Sequence, residues 1–260
     1  MTTIPGPDLS RGTVVERRPA DGTVWEFRDR HIEGVTFRGI RDGAEWMSFR
    51  RVVFVDCTFE DCDLQWAWGS HHERQDEAAH LLGCRVVGCD LQNTSLAYGR
   101  IEGCTVERCQ WREPLTAVDL VDNVFVGVVE SLTIWGRHVP LAAVITPRPR
   151  ANEIIGNDFR GADLRGLGLH AEVPVRDQLW PEGPDCAIVE RVPERVAAIL
   201  DRTAGADDPL ERELHESARW WGLSNDDDAI QSEAWLRWDD PVMPDFSNRF
   251  HQALAETRLD

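Results

Sequence analysis

Residues 84–111 read CRVVGCDLQNTSLAYGRIEGCTVERCQW. Within this stretch Val86, Leu91, Leu96, Ile101, Val106 and Trp111 place a large apolar side chain at every fifth position. A period of five fits neither an amphipathic helix, which repeats at about 3.6 residues, nor a long strand, which repeats at about 2. It does fit a short strand that bends every five residues. The same phase recurs in separate runs: Phe27, Ile32 and Phe37; Phe49, Phe54, Phe59 and Leu64; Leu115, Leu120 and Phe125; and Ile154, Phe159, Leu164 and Leu169. Together these make twenty positions in register within their runs.

Two residues before many of these sits a small one: Cys57, Cys62, Cys84, Cys89, Thr94, Cys104, Cys109, Val118 and Ala162. Six of the seven cysteines therefore share one phase. Strand alternation points positions i−2 and i inward and the residue between them outward. That outward slot is often acidic, as at Asp63, Asp90, Asp119, Asp158 and Asp163. The reading of the cysteines is a ladder of small buried residues. Their C-x₄-C spacing is poor for structural zinc, where C-x₂-C is usual.

In these features the chain resembles the pentapeptide-repeat family, whose pattern is A-(D/N)-L-x-x. CDLQ at 62–65, CDLQN at 89–93 and NDFRGADLRG at 157–166 carry the resemblance most directly, and it covers roughly residues 25–170. It implies a mainly β fold, a right-handed quadrilateral β-helix of four five-residue repeats per coil. With twenty residues per coil, Cys84 should stack on Cys104 and Cys89 on Cys109. The resemblance also implies a DNA-mimicking protein that binds DNA gyrase or topoisomerase IV and confers resistance to fluoroquinolones or gyrase toxins, and one that dimerises. The acidic stretch Asp56, Glu60, Asp61, Asp63 and Asp90 supplies its candidate partner-binding residues.

The organisation expected is a cap segment over 1–24, the repeat region over 25–170 and a helical region over 171–260. Breaks in register mark insertions near 65–82 and 136–152. The first contains WAWGSHHERQDEAAHLLG and reads as a loop with a short helix from about His71 to Leu82; the second contains PLAAVITPRPR and reads as a protruding loop. Trp66 and Trp68 beside the first loop are candidate partner anchors. After residue 190 about four helices are expected. Pro193 opens the first, Asp208 with Pro209 opens the second, and the third begins at Ser224 and carries Ile230, Trp235 and Trp238. Phe246, Phe250 and Leu254 share a face of the fourth. The helices cap the open end of the repeat region or present an interface, with Trp220 and Trp221 as candidates for partner contact.

The chain has 260 residues, with 28 basic residues (all arginine) against 46 acidic ones, a net charge of −18. Residues 1–170 carry 25 acidic and 19 basic residues; residues 171–260 carry 21 and 9, a net charge of −12. Such acidity argues against direct binding to nucleic acid or to an anionic membrane. No apolar run approaches the roughly 20 residues of a membrane helix. The start MTTIPGPDLSRG does not read as a secretory leader, so the odd cysteine count is read as reduced and cytoplasmic. No nucleophile elbow, H-E-x-x-H motif or phosphate-binding glycine loop is present, and no cofactor is expected. The one metal candidate is His72, Asp76 and His80, which a helix would align at i, i+4 and i+8. Cys186, outside the repeat, reads as a loop cysteine. The expected function is a non-enzymatic protein-binding scaffold, with topoisomerase binding and a metal-dependent module over residues 71–80 as alternatives.

Overall fold

The computed structural model describes residues 2–17, 22–41, 47–64, 78–92, 99–111, 114–115, 118–137, 151–224 and 231–259. The apolar period of five builds short strands that the chain delivers alternately to two seven-stranded parallel sheets. The first sheet contains, in spatial order, β1 (Thr2–Pro5), β3 (Thr23–Glu33), β5 (Met47–Val55), β7 (His80–Leu82), β9 (Arg100–Glu102), β12 (Asp119–Val121) and β15 (Ile154–Ile155). The second contains β2 (Val14–Val15), β4 (Thr36–Arg38), β6 (Thr58–Glu60), β8 (Arg85–Val87), β10 (Thr105–Glu107), β13 (Val124–Glu130) and β16 (Asp158–Arg165). A third parallel sheet has three strands, β11 (Pro114–Leu115), β14 (Thr133–Trp135) and β17 (Gly168–His170). β18 (Cys186–Glu190) and β19 (Glu233–Arg237) pair antiparallel. Three helices complete the chain: α1 (Val192–Thr203), α2 (Pro209–Ser224) and α3 (Asp245–Glu256).

This corrects the expected quadrilateral β-helix. A regular four-sided coil needs four equivalent parallel sheets and a constant step of twenty residues. Among the described residues there are two long parallel sheets and one short one, accompanied by helices, and no fourth parallel sheet. The step is not constant either. Thr36 pairs with Thr58, Thr58 with Arg85, Arg85 with Thr105, Thr105 with Val124 and Val124 with Asp158, which are steps of 22, 27, 20, 19 and 34 residues. Each register break in the sequence lengthens a connection and disturbs the regular repeat. The architecture is one of stacked parallel sheets with helices, α/β in class.

The apolar phase supplies the core. Of the twenty in-register positions, Leu96 lies outside the described residues, eighteen are buried and Leu169 is half-buried. Aromatic rings stack along the pairing direction: Phe37 on Phe59 at 5.0 Å between centroids, Phe125 on Phe159 at 4.5 Å and Phe159 on Trp180 at 4.7 Å. Trp180 then stacks on Trp235 at 5.5 Å, so the column continues into the C-terminal region. Parallel offset stacking of this kind adds about 0.5–1.5 kcal/mol per pair beyond burial.

The cysteines form two buried columns, and Cys84 and Cys104 are neighbours: the Cys84 amide donates to Cys104 Sγ at 3.2 Å. Beyond Cys104 the same column switches to carboxamides. The Cys104 amide donates to Asn123 Oδ1 (2.9 Å), the Asn123 amide to Asn157 Oδ1 (3.2 Å) and the Asn157 amide to Gln178 Oε1 (3.1 Å). All seven cysteines are free thiols. Hydrogen bonding to Cys84, with burial second, pushes the Cys57 thiol up, and Cys104 in turn pushes Cys84 to about 12.

The outward acids follow alternation with one exception. Asp119 is buried, and its Oδ1 accepts the Glu153 amide at 2.8 Å, which ties β12 to the chain entering β15. Two expectations after residue 70 are also corrected. Residues 80–82 are strand, paired to both β5 and β9, and not the end of a helix. The third expected helix is absent in its described part: Trp235 lies on β19, held by pairing to a strand some 45 residues earlier. α1 and α2 start where their prolines and Asp208 place them, with Asp208 Oδ1 accepting the amides of Leu210 and Glu211.

Candidate functional site

Of the acidic candidates, two have a backbone role. Asp56 and Asp61 occupy left-handed turns at φ +50°, a conformation that short polar side chains tolerate better than most. Asp56 also lies 3.7 Å from the Arg11 guanidinium. Glu60 accepts from Arg38 Nε at 2.7 Å, and Arg38 reaches Glu16 on the other side. Asp63 and Asp90 are joined by an isolated parallel bridge just beyond β6 and β8, and Asp90 Oδ1 accepts the Gln92 amide at 2.9 Å. The structure thus brings Asp63 and Asp90 together and sets arginines beside Asp56 and Glu60. Trp66, Trp68, His72 and Asp76 lie outside the described residues. His80 sits half-buried on β7, where burial holds its imidazole below the ordinary histidine range. Among the described residues no group of three or more His, Cys, Asp or Glu side chains is arranged to hold a metal.

The C-terminal region contains the larger feature. β18 and β19 form a ribbon against which α1, α2 and α3 pack through Val189, Val192, Ile199, Ala218, Leu236, Phe250 and Leu254. Three polar ties fasten this unit to β16 and to the chain flanking β17. Gln231 is buried and exchanges two bonds with Val173, Oε1 accepting the amide at 2.8 Å and Nε2 donating to the carbonyl at 2.9 Å. Arg237 donates to Asp163 Oδ1 at 2.6 Å and to the Leu164 carbonyl at 3.0 Å. Asp240 Oδ2 accepts the Gly166 amide at 2.6 Å.

Between these ties lies a cleft of about 730 Å³. That volume falls within the ~300–1,000 Å³ typical of ligand sites. One wall is β17 with the preceding Leu167; the others are α2, β19 and α3. Trp220, Trp221, Trp235, Phe246 and Phe250 supply its aromatic lining. Trp221 meets Phe250 edge-on at 5.8 Å, while Trp220 is 71% exposed and Phe246 is 44% exposed at the rim. The polar lining is largely engaged elsewhere. His251 Nδ1 donates to the Arg237 carbonyl at 2.8 Å, and His170 stacks on Trp135 at 5.0 Å. Burial keeps both imidazoles below the usual range, hence neutral at pH 7. Glu216 and Glu213 pair with Arg219 and Arg249 at the rim.

Sequence reasoning marked Trp220 and Trp221 but missed Trp235, Phe246 and Leu169 as parts of one site. These residues come from four elements that only tertiary packing brings together. No family model matches the chain, and no curated protein matches it.

Proposed function

We propose that this protein is a non-enzymatic protein-binding module whose partner docks in the aromatic cleft. The observation that carries the reading is the cleft itself: a concave apolar surface with Trp220 and Phe246 exposed at its mouth. Large aromatic side chains beside a desolvated pocket are the residues that dominate binding energies at protein interfaces. The polar groups inside are occupied by main chain and by each other, which favours recognition over bond-making chemistry. Seven free thiols support a reducing, cytoplasmic setting, and no helix among the described residues is long and apolar enough to cross a membrane. The acidic strand faces support topoisomerase mimicry less well, because Arg11 and Arg38 neutralise Asp56 and Glu60 locally.

Site-specific photocrosslinking in the source cells tests this. A benzophenone amino acid in place of Phe246 should give a discrete product that disappears when Trp220→Ala is added. A product obtained instead from the probe at Asp61, with none at Phe246, would move the interface to the acidic strand face and overturn the reading.

A further inference from the structure

The C-terminal ends of the three parallel sheets are treated differently. At the first sheet, the Gly156 amide beside β15 donates to the Asp177 carbonyl at 2.8 Å. At the second, the Phe159 amide of β16 donates to the Leu179 carbonyl at 2.7 Å, and Asp158 is bridged to Leu179. One segment, residues 175–180, thus covers both edges. The third sheet ends at β17, and among the described residues no strand continues it. The cleft lies there instead, with Gly168, Leu169 and His170 in its wall.

The strand geometry says which groups face that opening. The Gly168 amide donates to the Leu132 carbonyl, and the His170 carbonyl accepts the Gly136 amide, both at 2.9 Å and both toward β14. By alternation along a parallel strand, the Leu169 amide and carbonyl point to the opposite edge. Main-chain groups of this kind require partners wherever water is displaced. Leu169 carries a second sign. It is the only described position of the apolar period that is half-buried. Residues 171–260, which supply the other walls of the cleft, carry a net charge of −12.

We propose that the partner supplies the missing strand: an extended, basic segment that adds to β17, with an apolar side chain seated over Leu169 against Trp220 and Phe246. This inference rests on the proposed function and specifies its mode. Main-chain bonds to Leu169 give the segment its extended form, and alternate side chains enter the cleft. Lysine or arginine between them is drawn by the net negative charge of the C-terminal region, which speeds encounter and makes binding fall with salt.

Panning random dodecapeptides displayed on phage against the full chain tests this. The expected consensus is net positive, with apolar residues at every second position. Synthetic versions should lose at least tenfold in affinity when one alternate set of their amides is N-methylated, and little when the other set is. They should lose at least tenfold against the Trp220→Ala, Phe246→Ala double variant. Peptides that bind the double variant as tightly as the parent overturn the cleft, and the proposed function with it. Peptides that need the cleft but ignore both methylation patterns, or whose apolar residues recur every three to four positions, overturn strand addition alone. An acidic consensus, or no enrichment at all, also overturns the proposal.

Discussion

Replacing Asn157 by alanine tests whether the buried carboxamide column holds the sheets in register. Asn157 is fully buried. Its Nδ2 donates to the Leu120 carbonyl at 2.9 Å and to Gln178 Oε1 at 2.8 Å, while its Oδ1 accepts the Asn123 amide at 3.2 Å and Asn123 Nδ2 at 2.9 Å. Truncation leaves some of these groups with other partners: Asn123 Nδ2 keeps the Ile101 carbonyl, and Gln178 Oε1 keeps the Asn157 amide. The Asn123 amide loses the side chain that met it, whereas the Leu120 carbonyl keeps its place in the parallel ladder to β15. At roughly 1–3 kcal/mol for a buried group left unsatisfied, the expected loss is about 2 kcal/mol. Asn157→Cys is the informative comparison. In the same column Cys104 Sγ accepts the Cys84 amide at 3.2 Å and donates to the Leu81 carbonyl at 3.4 Å, so a thiol retains both kinds of contact in weaker form. It should lose about half as much, roughly 1 kcal/mol. Urea unfolding followed by near-UV circular dichroism measures both, provided the slope is unchanged. A loss below about 1 kcal/mol for Asn157→Ala, or a cysteine variant less stable than the alanine one, would refute the reasoning.

Three further outcomes follow from the geometry. His80, His170 and His251 all have imidazoles depressed by burial, so the unfolded chain takes up their protons first as pH falls. Stability should be flat above the ordinary histidine value of about 6.5 and decline below it, and a His170→Gln, His251→Gln variant should show a shallower decline between pH 7 and 5.5; an identical profile in the two proteins refutes the assignment. Native protein should release one thiol to a disulfide reagent, Cys186, which is half-buried, and the other six only in urea; early reaction of more than one contradicts the buried columns. Arg237→Leu removes the bonds to Asp163 and Leu164 and should cost about 1–2 kcal/mol, while raising hydrogen exchange in β18 and β19 more than in the parallel sheets; uniform exchange changes would show that Arg237 does not fasten the two parts.

The core was legible in the sequence because its signal is local and repeated. Phe49, Phe54 and Phe59 announce their burial by spacing alone, and Cys104 and Cys109 do so by sharing a phase. The sheets built from that core were less legible. The spacing shows which residues point inward, but the partners of each strand depend on the lengths of the intervening connections, and these vary. The β18–β19 ribbon left no local trace: EAWLR at 233–237 carries three consecutive buried residues, a pattern that a helix or a covered strand can equally show. The cleft was the least legible feature. Trp220 was singled out for its type, but only the packing of α2 and α3 across β17 makes it the rim of a pocket, and Leu169 looked like any other core position.

The aromatic column has a consequence for how the protein is made. Trp235 belongs to the same core as Phe159 and Trp180, stacking on the latter from the far end of the chain. A nascent chain leaving the ribosome can assemble its parallel sheets in the order in which they are synthesised, each strand finding its neighbour some twenty to thirty residues back. It cannot close the face of Trp180 until residue 235 has emerged. At about 5–20 residues per second, the 55 residues between the two tryptophans leave that ring uncovered for roughly 3–11 s in every round of synthesis. During that interval the growing protein is most exposed to chaperones and to mispairing with another copy of itself.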